Sequence, residues 1–301
     1  MSSGRPYPRP HPVDEHLVRR LIAVQFPAWA GLPVRRFPSA GTVNALFRLG
    51  EDLVARLPLY QGGAADVERE RTWLPRLAPR LPVPVPEVLG EGEPAEGYPW
   101  PWSVYRWLPG ENPEAGALTE PEGLARDLAG FVAAMRSAGL PGAPPAYRGG
   151  PPAALEASTR AAIEELRGVP EEGVDCDALT AVWESALRGP AARSVPPVWL
   201  HADLMPGNLL VDRAGRLAAV IDFGCAGTGD PACDLFPAWN LLPPAARDTF
   251  REALAVDDPT WTRGRARTLS QAVIALPYYR RTNPSMAGNA RHVIRAVLTG
   301  G

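Results

Sequence analysis

The sequence predicts an α+β fold of two lobes, a small β-rich one followed by a larger, mainly helical one. Three observations carry this expectation. The first third of the 301 residues alternates short apolar runs with turns; the remainder places apolar residues at helical spacing between Pro/Gly-rich connectors; and the change falls at Leu108-Pro109-Gly110. The expected organisation is an N-terminal lobe over residues 1–107 and a C-terminal lobe over 108–301.

The elements follow in order. DEHLVRRLIAVQF sets Leu17, Leu21 and Val24 at helical spacing and predicts an amphipathic helix. ALFRL and LVARL, separated by Gly-Glu-Asp, read as a β-hairpin. A helix is expected at about 64–77, and the prolines of PVPVPEVLGEGEP restrict that stretch to edge strands and loops. WSVYRWL reads as a buried strand. LTEPEGLARDLAGFVAAMRSAG, AALEASTRAAIEELRG and DALTAVWESALRG read as helices.

Composition excludes several classes of function. The chain is 46% hydrophobic and 21% charged, enough to bury a sizeable core. No stretch approaches the ~20 uninterrupted apolar residues of a membrane helix, and no apolar segment follows MSSGRPYPRPHPVDEH as a secretion signal requires. A cytoplasmic protein, monomer or weak dimer, without membrane partners is expected. The net charge of −2 and the scattered arginines offer nothing to nucleic acid. Cys176, Cys225 and Cys233 are odd in number and lack CxxC spacing, so neither a disulfide framework nor a zinc site is expected. All 31 basic residues are arginine, which reads as a coding bias.

HADLMPGN (201–208) sets a histidine, an aspartate and an asparagine between the apolar runs VPPVWL and LLV. The chain then turns at DRAGR and returns as LAAVIDFG, so a hairpin folded about that turn brings Asn208 and Asp222 out together at its open end. Two hard oxygen ligands on neighbouring strands suit Mg²⁺, which takes one or two protein oxygens plus substrate phosphates. Asp203, across the Pro206-Gly207 turn, is then placed to orient a substrate hydroxyl or accept its proton.

The spacing HxDxxxxN followed by IDFG resembles the catalytic and metal-binding loops of the protein-kinase-like superfamily, and HADLMPGN with GDPACDL is similar to the aminoglycoside and macrolide phosphotransferase family. The resemblance covers nearly the whole chain. It implies a kinase-like fold and transfer of the γ-phosphoryl group of ATP or GTP to a small-molecule hydroxyl, with Asp203 as base, Asn208 and Asp222 on Mg²⁺, and His201 as a backbone anchor. The antibiotic acceptors of the family are the favoured reading. A metabolic kinase of an amino alcohol or sugar and a nucleotide-binding pseudokinase stay open, although retention of Asp203, Asn208 and Asp222 argues against the last.

On the same resemblance SAGTVNALF takes the place of the nucleotide-covering loop. It is not GxGxxG, yet Ser39, Gly41 and Thr42 offer hydroxyls and backbone N–H groups to phosphate. Strand alternation in DLVARLP turns Leu53, Ala55 and Leu57 one way and Val54 and Arg56 the other, so Arg56 stands where kinases carry lysine. On the helix DVERERTWL, Glu70 falls within the arc of Val67, Trp73 and Leu74 while Glu68 faces solvent, which makes Glu70 the expected partner of Arg56. The backbone of Trp107 and Leu108 is expected to bind the adenine edge, with Tyr105 at the back of the pocket. Asp230 and Asp234 read as a helix cap and a brace for the catalytic loop, or as contacts to a cationic substrate. Trp239, Asn240, Gln271, Tyr278, Tyr279 and Asn283 are candidates for the acceptor site and favour a partly apolar, polyhydroxylated compound.

Overall fold

The computed structural model describes residues 10–38, 43–168 and 174–299. The chain forms two compact units. One comprises the residues up to Pro79, Pro84–Pro109 and Ala219–Gly224; the other comprises Arg80–Val83, Gly110–Ala218 and the residues from Cys225 onward.

In the first unit, helix α1 (Glu15–Gln25) starts at Asp14, whose carboxylate accepts the Leu17 N–H at 2.8 Å and so satisfies an otherwise unpaired first-turn amide. Its buried stripe is Leu17, Val18, Leu21 and Ile22. Val24 is exposed, against expectation. At about 100° per residue the buried arc centres between Leu21 and Val18, and Val24 falls beyond its edge. Strands β1 (Val34–Phe37), β2 (Asn44–Leu49) and β3 (Leu53–Pro58) lead into helix α2 (Gly62–Leu77), and β4 (Val88–Gly92) and β5 (Trp102–Arg106) complete an antiparallel sheet of order β1-β2-β3-β5-β4. The β2–β3 hairpin pairs Leu49 with Leu53 across Gly50-Glu51-Asp52. The proline-flanked β4 lies at the edge of the sheet, where missing N–H donors cost no ladder bonds.

Strand alternation buries Leu53, Ala55 and Leu57 with Phe47, Leu49, Trp102, Val104, Leu21 and Ile22. Arg56 is thereby sent to the opposite face. Helix α2 is fastened to that sheet by Arg71, whose Nη2 donates to the carbonyls of Gly92 (2.8 Å) and Trp102 (2.7 Å). This fixes the neighbouring Glu70 in height and rotation.

The second unit contains helices α3 (Pro121–Arg136), α4 (Glu156–Arg167) and α5 (Cys176–Ala186), strands β6 (Val198–Leu200), β7 (Leu209–Val211), β8 (Leu217–Val220) and β9 (Gly227–Gly229), and helices α6 (Pro237–Asn240), α7 (Pro244–Ala253), α8 (Asp258–Tyr279) and α9 (Pro284–Thr299). β6 pairs with β9, and β7 with β8. The apolar helix α8 is the spine, packed by α9, α4 and α5, while α3 packs on α7 and β6. A buried ion pair, Arg263 Nε to Asp230 Oδ2 at 3.0 Å, ties the start of α8 to the segment after β9. Trp239 is fully buried and its ring lies 4.6 Å from that of Trp261.

Candidate active site

The segment between β6 and β7 is HADLMPGN, held by side chains from other parts of the chain and by two of its own. Asp234 is fully buried, and its two oxygens accept the amides of His201 (2.8 Å) and Ala202 (2.7 Å). His201 is sealed from solvent and its Nδ1 accepts the Asp203 N–H at 3.2 Å, which makes it a backbone anchor that no substrate reaches. Ala202 adopts φ +66°, a left-handed conformation costing about 1–3 kcal/mol in a non-glycine residue and tolerated where the surroundings enforce it. Asn112, from the loop before α3, donates to the carbonyls of Gly207 (3.0 Å) and Leu209 (2.8 Å). The buried Asn240 donates to Leu204 O at 3.2 Å.

The backbone is thereby fixed, and the carboxylate of Asp203 projects from it with Oδ1 accepting from Arg148 Nη1. The Asp203 side chain is 19% exposed, and its Oδ2 accepts from Asn208 Nδ2 at 3.0 Å. Asn208 Nδ2 also donates to the Asp203 carbonyl at 2.8 Å, which turns the amide oxygen away from Asp203.

Asp234 thus serves as a brace. Burial pushes its carboxyl up, against the opposing pull of His201 and the two amides it accepts. Replacing Asp234 with alanine orphans both amides at a cost of about 1–3 kcal/mol each. Denaturant unfolding is expected to show that loss, and turnover should fall with it because Asp203 follows directly in the chain.

In the first unit, Arg56 anchors a second polar cluster. Its Nη1 donates to both oxygens of Glu70 at 2.7 and 2.8 Å, and its Nη2 donates to Asp222 Oδ1 at 2.6 Å. The Asn44 amide, turned so that its oxygen faces the guanidinium, accepts from Arg56 Nε at 3.0 Å and Nη2 at 2.9 Å. Glu70 is 1% exposed and also accepts the Tyr105 hydroxyl and, at 2.8 Å, the Phe223 N–H. Burial alone would pull the Arg56 guanidinium down, but Asp222 and Glu70 more than offset it and hold it well above its ordinary value. Burial pushes the Tyr105 hydroxyl well up, and Glu70 adds to that. Glu68 instead faces solvent and pairs with Arg71.

Asp222 also has φ +66°, and its side chain is 40% exposed. The following Phe223-Gly224 turn passes so close to α2 that a Cβ at Gly224 would come within 2.7 Å of Asp66 Cβ, so only glycine fits. Burial pushes Asp66 up to about 6 from 3.8; Arg56 opposes this, while Asp222 and Glu70 add to it. A carboxyl with a raised native pKa stabilises the fold below its unfolded value, and the benefit is lost as pH rises through the native one. The denaturant midpoint of the wild type should therefore fall relative to that of Asp66→Asn as pH rises from about 4 to 6 and the difference stay constant above.

The residues expected to hold Mg²⁺ fit a hard cation. Asn208 has its nitrogen committed and its oxygen free to ligate, and Asp222 is a partly exposed carboxylate. Among the described residues no group of three or more His, Cys, Asp or Glu forms a metal cluster, and a cation that takes one or two protein oxygens needs none. Ser39, Gly41 and Thr42 lie outside the described residues.

Trp107 donates its backbone N–H to Asp52 O at 2.7 Å, and its ring stacks under the Arg48 guanidinium at 3.9 Å. Of that residue, the carbonyl is what remains for a base edge. Leu108 is half-buried. Tyr105 supports Glu70 from β5. Trp239 and Asn240 are core residues, so they leave the list of acceptor contacts. Gln271, Tyr278, Tyr279 and Asn283 are half-buried, and Asn283 caps α9 through Met286 N at 3.2 Å. Asn44, Arg71, Asn112 and Arg148 are site residues that sequence reasoning missed. Each acts through a partner remote in the chain and carries no local signal.

The model of the phosphotransferase enzyme family matches residues 34–267. The GDP complex of wild-type aminoglycoside 2'-phosphotransferase-IIIa superposes with a TM-score of 0.74 at 20% identity, covering 95% of this chain and 99% of that one. Macrolide 2'-phosphotransferase MphH from Brachybacterium faecium gives a TM-score of 0.60 at 22% identity, covering 94% and 98%. The streptomycin and ATP ternary complex of APH(2")-IIa gives 0.61 at 15% identity, covering 97% and 100%. No curated protein matches the chain in sequence. At these identities the likeness shows a shared, kinase-like fold.

Proposed function

The chain belongs to the phosphotransferase enzyme family, and on that premise we propose that it transfers the γ-phosphoryl group of ATP or GTP to a hydroxyl of a small molecule, an antibiotic of macrolide or aminoglycoside type. The observation that carries this reading is the Asp203 carboxylate, presented partly exposed from a loop whose backbone is fixed by Asp234, the His201 ring and the Asn208 amide nitrogen.

The acceptor hydroxyl donates to Asp203, which orients the oxygen toward phosphorus and takes the proton as the new O–P bond forms and the bond from the γ-phosphorus to the departing nucleoside diphosphate breaks. The transition state is loose, so most of the rate gain comes from positioning and electrostatics. Arg56, held extended by Glu70, offsets phosphate charge. Asn208 and Asp222 are the proposed Mg²⁺ ligands; the ion, when bound, neutralises charge on the phosphate oxygens. Trp107 and Leu108 offer backbone groups to the base, and the phosphates are assigned to Ser39, Gly41 and Thr42 on the resemblance of their sequence segment alone. We assign the work to the cytoplasm, where nucleoside triphosphates are supplied, and to a monomer or weak dimer. Among the described residues no helix is long and apolar enough to cross a membrane.

The GDP, ATP and aminoglycoside complexes named for the structural neighbours support the nucleotide and acceptor classes. A nucleotide-turnover screen with Mg²⁺, run with both ATP and GTP against antibiotics, sugars and amino alcohols, tests the reading. Acceptor-dependent turnover with an antibiotic supports it. Turnover confined to an amino alcohol or sugar replaces the acceptor class, and nucleotide binding without turnover makes the chain a pseudokinase.

A further inference from the structure

Arg148 belongs neither to HADLMPGN nor to IDFG. It lies on the segment between α3 and α4, and its Nη1 donates to Asp203 Oδ1, while Asp203 Oδ2 accepts from Asn208 Nδ2 at 3.0 Å. The backbone that carries Arg148 is tied on both sides. Ala146 N donates to Thr228 O at 2.9 Å, Tyr147 N to Cys225 O at 3.2 Å, and Asp230 N to Gly149 O at 2.9 Å. The carbonyls of Arg148 and Gly150 accept from the guanidinium of the buried Arg267, and Cys233 Sγ donates to the Arg148 carbonyl at 3.4 Å. Gly149 and Gly229 pack so closely that a Cβ at Gly229 would come within 2.5 Å of Gly149 Cα. The Cα of Arg148 is thus fixed, and its side chain, 37% exposed, keeps the freedom to turn about its own bonds.

The chemistry at Asp203 changes what this guanidinium faces. A hydroxyl that donates to Asp203 sits about 3 Å from the carboxylate, and in a reacting geometry phosphorus lies about 3–3.5 Å from the hydroxyl oxygen. The transferring group is therefore a neighbour of the same carboxylate that Arg148 holds. As the acceptor O–P bond forms and the bond from phosphorus to the nucleoside diphosphate breaks, the hydroxyl proton passes to Asp203 and the departing diphosphate takes up the balancing negative charge. Asp203 becomes a neutral acid. Arg148 loses its anion just as the negative oxygens of the phosphoryl group arrive beside it. HADLMPGN carries neither lysine nor arginine and its His201 is sealed, so the loop that supplies the base supplies no cation of its own to meet them.

We propose that Arg148 is a catalytic residue of phosphoryl transfer: it pairs with Asp203 while the base is ionised and turns to the oxygens of the transferring phosphoryl group as Asp203 takes the proton. This rests on the phosphoryl-transfer reading of Asp203 and adds to it a cation on the acceptor side of phosphorus. The guanidinium suits both partners, because its planar fork of N–H donors fits carboxylate and phosphate alike. A carboxylate has about four lone-pair positions, and Arg148 and Asn208 occupy one each, so the acceptor hydroxyl reaches Asp203 without first displacing the cation. The contact to the phosphoryl group is made only as the reaction advances, and an interaction that strengthens toward the transition state is one that raises kcat. Arg267 and the Gly149–Gly229 contact fix the pivot about which the side chain turns.

The test uses the full chain with Mg²⁺, the better of ATP and GTP, and an acceptor from the turnover screen. Arg148→Gln is expected to lower kcat by about 100-fold with nucleotide affinity unchanged, and Arg148→Lys, which keeps the charge and loses the fork, to show a smaller loss. The second readout is binding of the matching nucleoside diphosphate with fluoroaluminate, a mimic of the phosphoryl group in transit, in the presence of acceptor. Arg148→Gln should weaken that complex by about 100-fold, leave the affinity for the diphosphate alone untouched, and do the same in a chain that already carries Asp203→Asn. Thermal unfolding and diphosphate binding report that each variant is folded; if Arg148→Gln is not, Arg148→Lys should show parallel losses in both readouts. An unchanged kcat, a lowered kcat with the fluoroaluminate complex as tight as that of wild type, or a loss that vanishes beside Asp203→Asn overturns the proposal and leaves the phosphotransferase reading standing. Absence of transfer by wild type to every acceptor, with nucleotide bound, overturns both.

Discussion

Replacing Asp203 with alanine is expected to lower phosphoryl transfer by about 100- to 10,000-fold, the range that a positioned general base supplies, and to leave nucleotide affinity intact. The loop geometry makes this a clean experiment. The backbone of the segment is held by Asp234, Asn112, Asn240 and the His201 ring, none of which bonds to the Asp203 carboxylate. Asn208 loses one contact, to Oδ2, and keeps the one to the Asp203 carbonyl. Arg148 loses its counter-ion, so a modest fall in stability accompanies the loss of activity. Asp203→Asn keeps the shape and the Arg148 side of the pocket filled but cannot take up a proton, and it should be almost as inactive. Acceptor-dependent nucleotide turnover and a separate nucleotide-binding isotherm on both variants check the result.

Replacing Glu70 with alanine is expected to lower stability by about 3–5 kcal/mol, the cost of breaking a buried ion pair from one side. Glu70 accepts from Arg56, Tyr105 and the Phe223 amide at once, from a position with no exposed side-chain surface. Its removal leaves a buried guanidinium with Asp222 as its remaining carboxylate, together with a buried hydroxyl and a buried amide lacking their acceptor. The Phe223 amide follows Asp222, whose left-handed backbone depends on its surroundings. The loss should thus extend to nucleotide and Mg²⁺ affinity. Glu70→Gln, which keeps the volume and can accept one of these bonds, should recover part of the stability and little of the affinity. Thermal and denaturant unfolding of both variants measure the first effect, and nucleotide titrations measure the second.

Much of this architecture is readable in the sequence because it depends on local periodicity. Alternation in DLVARLP sends Arg56 away from the apolar face, and helical spacing selects Glu70 over Glu68; the ion pair between them joins these two local patterns. The loop HADLMPGN announces itself by placing polar residues in an apolar setting. What the sequence hides is whatever depends on the identity of a distant neighbour. Arg148 lies 55 positions from Asp203, and contacts remote in sequence, among them the packing of Gly149 on Gly229 and the bond from Tyr147 N to Cys225 O, bring it there. Asn112 and Arg71 fasten their partners through backbone carbonyls, which every residue possesses. Trp239 and Asn240 fail in the opposite direction. A tryptophan and an amide in an apolar run suit a ligand pocket or a braced core equally well, and burial alone decides for the core. The left-handed backbone at Ala202 and Asp222 is imposed by the loop anchors, not by the residues that adopt it.

The central claim is that this chain moves a phosphoryl group from a nucleotide to an acceptor hydroxyl at Asp203. Incubating wild type with γ-labelled nucleotide, Mg²⁺ and the best acceptor from the turnover screen, then recovering the acceptor for mass and label analysis, tests it most directly. The account predicts an acceptor heavier by one phosphoryl group and carrying the label, formed only with Mg²⁺ and absent with Asp203→Ala. Label released solely as inorganic phosphate, or a labelled acceptor formed equally well by Asp203→Ala, would contradict it.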